Sequence, residues 1–266
     1  MLPRSVVLCL QLCAEHERPR DHVRPAPLEL CVRVWAEHDY PGDRGPGPAH
    51  TAGVPDADDL RALARSSPQR WTTLRFTERR RAGWSWSGPV RAWLRRPDLL
   101  RVVDAAGRPH VVRETGADHD PMWQDYRWVA ELRPAELADG LDPDTGEPGG
   151  DPLEVDSVRE VEHAGRPSWE ALVVPTDRYE PRCACCPLLR SRRIDDLEWG
   201  PGSFPDAVYP TAHLVRLDAA TGVCVWAEAL DGTFAGDTHD LRIEAVDEPM
   251  GDDLFRRARR QGAVRG

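Results

Sequence analysis

The sequence contains no lysine and no asparagine, so its 35 Lys-plus-Arg residues are all arginines. This absence reads as the codon usage of a GC-rich genome rather than a functional choice. Methionine is scarce, with three residues, and Phe and Tyr supply four each. No run approaches the roughly 18–20 apolar residues of a membrane-spanning helix. There is no G-x-S-x-G elbow, no P-loop, no H-E-x-x-H and no dinucleotide fingerprint behind a strand, so none of the common catalytic signatures is present. An excess of basic charge is also missing. The formal charge of −10 excludes nucleic acid as the default partner, because phosphate binding needs a basic surface.

What is present suits a globular chain of 266 residues, with 40% hydrophobic and 30% charged side chains. Ten tryptophans stand out against the few other aromatics. Trp offers a large apolar area with one polar N–H, so Trp-rich strands line either a core or a pocket. The N-terminal run Val6–Leu12 after Arg4 is short for a secretory signal, and the residues before Cys13 are not small. The expected location is therefore cytoplasmic, with export as the weaker option.

Residues 41–58, PGDRGPGPAHTAGVPDAD, hold four Pro and four Gly and read as a linker. That leaves residues 1–40 as an appendage, 59–256 as the main domain and 257–266 as a basic, solvated tail. Asp56 to Asp59 followed by Leu60, Leu63 and Ala64 predicts a short capped helix. Period two then takes over: Leu74 and Phe76, Val90, Ala92 and Leu94, Trp128, Ala130 and Leu132, and Leu241 and Ile243 each alternate with polar or differently facing neighbours. Hairpins are predicted at the two AGRP tetrapeptides, 106–109 and 164–167, and at Gly222. The run 133–138 predicts a short helix, and the acidic stretch 139–152 a solvated loop rather than a calcium site. Asp118, His119 and Asp120 are read in the same way, as polar loop residues.

The order of these features resembles the lipoprotein-carrier superfamily of LolA, LolB and the anti-sigma regulator RseB, over roughly residues 57–256. The residues that carry the resemblance are LDAATG at 217–222 followed by Asp231-Gly232, the GRP turn at 165–167, and D-x-L-F at 252–255. It implies an α+β fold: a curved antiparallel half-barrel sheet with a few short helices packed on its concave side. It also implies a non-enzymatic binding protein holding an apolar ligand, such as an acyl chain, or a peptide against that face. A lipid-modified partner is the corresponding expectation. Candidate lining residues are Leu74, Phe76, Trp86, Val90, Trp93, Trp128, Leu172 and Leu214.

The cluster Cys183-Ala184-Cys185-Cys186, with Pro181 and Pro187 beside it, is no part of that pattern. Four readings are open. The thiols hold a soft metal, zinc being the candidate ion, with Cys224 or His213 completing the site. Alternatively Cys183 or Cys186 pairs with Cys224 in a disulfide, a thiolate activated by Arg182 and Arg190 reacts, or the thiols fill space. The first of these gives the alternative function, a metal- or redox-responsive regulator.

Overall fold

The computed structural model describes residues 54–83, 85–115, 119–181 and 183–256, and of Trp86 the backbone only. The expectations for residues 1–40, for most of the linker and for the basic tail lie outside the described residues.

Among the described residues, three α-helices and ten strands follow one another. Helix α1 (Ala57–Ser66) precedes β1 (Thr73–Ala82), β2 (Ser85–Trp86), β3 (Val90–Arg95), β4 (Leu99–Val103) and β5 (Pro109–Arg113). Then come α2 (Arg127–Leu132), β6 (Leu153–His163), β7 (Arg166–Pro175), α3 (Arg192–Trp199), β8 (His213–Asp218), β9 (Cys224–Ala229) and β10 (Thr238–Val246). The strands form one antiparallel sheet in the order β5-β4-β3-β1-β10-β9-β8-β7-β6, with β2 paired to β1. This is the antiparallel half-barrel sheet that the family resemblance implied, built from the antiparallel strands that the period-two pattern predicted.

Helix α1 begins inside the run read as linker. Asp56 accepts from the Asp58 and Asp59 amides at 2.9 and 3.0 Å, and Asp59 accepts from the Asp56 amide at 3.1 Å. This capping box satisfies donors that would otherwise be orphaned at the helix start. Leu60, Leu63 and Ala64 form its buried stripe. Both AGRP turns close hairpins, β4–β5 and β6–β7.

One expectation is corrected. The run from Tyr126 to Leu132 is not a strand but the short helix α2. Its apolar residues are buried on every side, and such a run satisfies period two without being a strand. Trp128 and Leu132 enter one half of the core and Ala130 the other. Ser191 caps α3 by accepting from the Ile194 amide.

The core divides in two on the helix-covered face. Inward residues of β1, β3, β4 and β10 pack with Trp71, Trp128 and Leu132. Inward residues of β6–β9 pack with α1, Tyr179, Leu188 and Leu189. The boundary runs through β9, whose Cys224 and Ala227 join one half and whose Val225 joins the other, and β9 and β10 pair only at Glu228–Thr238, Ala227–His239 and Trp226–Asp240. Beyond those pairs two histidines replace the ladder: His239 donates to the Cys224 carbonyl at 2.9 Å, and His163 Nε2 lies 3.1 Å from the Leu241 carbonyl. In a flat sheet β6 and β10, four strands apart, would stand about 19 Å from each other. The His163 contact with β10 thus requires a strongly coiled sheet.

The opposite face is tied by charge. One cross-strand row runs Arg159–Glu170–Arg216–Trp226–Asp240–Arg79 over six strands. Glu170 accepts from Arg159 and Arg216, and Asp240 from Arg79 and Arg242. Both carboxylates are buried beneath their arginines. A small apolar patch on this face joins Trp93, Leu99 and Val111 to Met250, Leu254 and Phe255 of the C-terminal turn.

Candidate functional site

The predicted lining residues separate by face. Leu74, Phe76 and Trp128 lie on the helix-covered side, with Phe76 and Trp128 rings 5.4 Å apart, and all three are fully covered by the chain itself. Val90 belongs to the same cluster but is half-buried. Trp93 lies on the opposite face beside Leu99 and Phe255. Leu172 and Leu214 are paired across β7–β8 and also face away, since their neighbours Ala171, Val173 and Val215 point into the core. The side chain of Trp86 lies outside the described residues. Alternation identifies two faces but not which one the helices cover, and that mixed the list.

Val90 is one of several half-buried apolar residues at the margin of the β1–β5 core. Val112, Met122 and Trp123 share that margin, and the His110 ring lies 4.3 Å from the Trp123 ring. The segment carrying Met122 and Trp123 is irregular and leads into α2. It is anchored on its N-terminal side by Asp120. That carboxylate is not solvated, as the sequence suggested, but fully buried between Arg96 and Arg133 at 2.8 and 3.0 Å. Arg96 also stacks 3.3 Å from the Trp71 ring centroid.

Further along β1 the inward register changes from Leu74 and Phe76 to Glu78 and Arg80. Arg80 sits among three carboxylates. It bonds Glu78, Asp125 at 3.1 Å and Glu131 at 3.1 Å. Burial pushes both Glu78 and Glu131 up to about 7, against the pull of Arg80. Burial also opposes the Arg80 charge, but the surrounding acids prevail and keep it protonated. His239 completes the group, with Nδ1 3.7 Å from Glu131 Oε1; burial lowers it to about 4, so the ring is neutral. One Glu131 oxygen has no hydrogen-bond partner among the described residues. No motif marks this group, but its signal was in the sequence: a charged pair continuing an apolar strand register.

The cysteine cluster sits on the connection between β7 and α3. Cys186 N donates to Cys183 O at 3.2 Å, closing a turn that gathers the sulfurs. Cys183 and Cys185 Sγ stand 2.9 Å apart and Cys185 and Cys186 Sγ 3.7 Å apart; all three lie within 4.8 Å of one another. Cys224 and His213 do not join them. Cys224 is buried in β9, its thiol donating to the Trp226 carbonyl, and burial raises its pKa. No disulfide links it to the cluster. His213 is buried at the start of β8, lowered by burial to about 4, with both ring nitrogens unpartnered among the described residues.

No family model and no curated protein matches the sequence. Solved structures do. MucB aligns at 19% identity and a TM-score of 0.43, covering 76% of this chain and 63% of MucB. The Mycobacterium tuberculosis lipoprotein LppX aligns at 14% identity and 0.36, over 72% of this chain and 97% of LppX. An outer membrane lipoprotein-sorting protein domain from Vibrio parahaemolyticus aligns at 11% and 0.26, over 75% and 97%. The chain spans less than two thirds of the length of MucB. The cytoplasmic expectation is not upheld: two of these neighbours are named as a lipoprotein and as an outer membrane lipoprotein-sorting protein domain. No helix among the described residues is long and apolar enough to cross a membrane.

Proposed function

We propose that the protein is a non-enzymatic binding protein that takes an apolar ligand, of the acyl-chain class, at the margin of the β1–β5 core. The observation that carries this reading is the continuity of apolar surface from half-buried Val90, Val112, Met122 and Trp123 down to Phe76 and Trp128. The interior is filled by the chain's own α2. A ligand therefore enters by displacing the irregular Met122–Trp123 segment, which no sheet hydrogen bonds hold, rather than by occupying a standing cavity. The deep residues Leu74, Phe76 and Trp128 then form its floor, and Trp93, Leu172 and Leu214 take no part.

Native mass spectrometry of the purified full chain and titration with a fluorescent fatty acid test this. A saturable site is expected, weakened by Val112→Trp, which fills the margin from an exposed edge strand. A chain that carries no lipid and binds no probe would end the proposal, as would equal binding by the Trp variant.

A further inference from the structure

Val90, at the margin where a ligand enters, stands directly opposite Glu78 in the β1–β3 ladder. The apolar margin therefore runs straight into the buried charged group around Arg80. Asp125 of that group follows Trp123 by two residues, and its amide donates to the Trp123 carbonyl at 2.9 Å. Gln124, between them, has φ 70°, a left-handed conformation that strains a residue with a Cβ. The segment displaced by an entering ligand thus carries one wall of the charged group with it.

Two polar atoms in this group are unsatisfied. Glu131 is fully buried; its Oε1 accepts from Arg80 at 3.1 Å, while its Oε2 has no hydrogen-bond partner among the described residues. Arg127 lies one helical turn before Glu131 on the same face of α2. Its Nε is buried without a partner, and its guanidinium makes no ion pair among the described residues. Buried groups left unpaired are costly, and each marks a place where a ligand atom is wanted. Burial pushes Glu131 up to about 7, against the pull of Arg80 and then of Arg127, and burial raises Glu78 to about 7 as well. With both glutamates protonated, Arg80 and Arg127 face one remaining carboxylate, Asp125, so the group accommodates one further negative charge.

We propose that Arg127 and Glu131 form the head-group subsite of the ligand site, and that the ligand is a free fatty acid rather than an ester or a neutral lipid. This inference rests on the binding reading above and adds the chemistry of the ligand's polar end. Arg127 pairs with the ligand carboxylate, and neutral Glu131 donates to it from Oε2, both charge-assisted bonds. The acyl chain then runs past Val90 toward Val112, Met122 and Trp123, over Phe76 and Trp128. Arg80 stays held by Glu78, Asp125 and Glu131 and positions Glu131 without touching the ligand.

Calorimetric titration of the full chain with decanoic acid, methyl decanoate and decanol near neutral pH tests this. The acid is expected to bind at least ~10-fold more tightly than either neutral analogue. Arg127→Gln should weaken binding of the acid by at least ~10-fold, leave binding of the ester unchanged and keep the circular dichroism of the parent, because the guanidinium has no ion pair in the fold to lose. Equal affinity for acid and ester in the parent chain, or an Arg127→Gln chain that prefers the acid to the same degree, would overturn the head-group assignment while leaving the apolar site standing. Failure of all three compounds to bind would overturn the apolar site itself, and this inference with it.

Discussion

His239 Nε2 donates to the Cys224 carbonyl at 2.9 Å, which leaves the Nδ1 lone pair facing Glu131 Oε1 at 3.7 Å. A neutral imidazole held in this tautomer favours a protonated carboxyl opposite it. The pairing explains how two glutamates, one arginine and a histidine share the buried end of β1 without an excess of bare charge.

Stability should respond to pH through this group. Glu131 is raised from 4.5 to about 7, so between those values the folded chain keeps a proton that the unfolded chain loses. The native state weakens as pH rises through that window, and Glu78 acts in the same sense. His239, lowered from 6.5 to about 4, acts oppositely between 4 and 6.5. Glu131→Gln should therefore gain on the parent as pH rises from 5 to 8, on the order of 1–3 kcal/mol. Melting curves at the two pH values measure it; an unchanged difference would show Glu131 ionised in the fold.

Asp240 on the opposite face should behave inversely. Burial raises its pKa, but His163, Arg242 and Arg79 outweigh this and hold it well below the usual carboxylate range. Its contribution is present above about pH 4 and fades as pH falls further. Asp240→Asn should lower the melting temperature at pH 7 and still do so at pH 3, by only somewhat less, because the folded carboxylate stays ionised there, as followed by circular dichroism.

Tyr179→Phe removes one hydroxyl from between Glu136 and the Leu189 amide. The loss should cost about 1–3 kcal/mol, since Glu136 and Leu189 N remain buried with a missing partner. Release of the turn should also raise the rate at which Cys186 is alkylated, read by mass spectrometry of the labelled chain.

Gly222→Ala should destabilise by about 1–3 kcal/mol. Gly222 has φ 71°, and a Cβ there would meet the Leu63 carbonyl of α1 at 2.5 Å. Chemical denaturation checks this, with a loss below ~0.5 kcal/mol showing that α1 shifts aside.

Much of the fold was legible because antiparallel strands with one covered face repeat every two residues. The β1, β3 and β10 registers, all three hairpins and the α1 cap followed from that period and from turn chemistry. The last glycines of LDAATG and of Asp231-Gly232 proved to be places where backbone meets backbone, against Leu63 and Val208. What was not legible depended on depth. Tyr126–Leu132 is buried on all sides, so its apolar spacing fits a strand and a helix equally well. Asp120 looked solvated because its partners, Arg96 and Arg133, lie 24 and 13 residues away. Two of the four open readings brought Cys224 or His213 to the cluster, but a tight turn gathers the sulfurs locally while the strand fixes Cys224 elsewhere.

The narrow β9–β10 seam carries a mechanical implication. With three residue pairs between β9 and β10, β6–β9 and β1–β5 with β10 form two leaves joined by a short spine, and Val225 of β9 reaches into the core of the second leaf. Helix α2 contributes side chains to both leaves and latches them. Amide exchange should divide the molecule along this spine, and any motion that lifts α2 at the Trp123 end would loosen the latch and let the leaves part like a book.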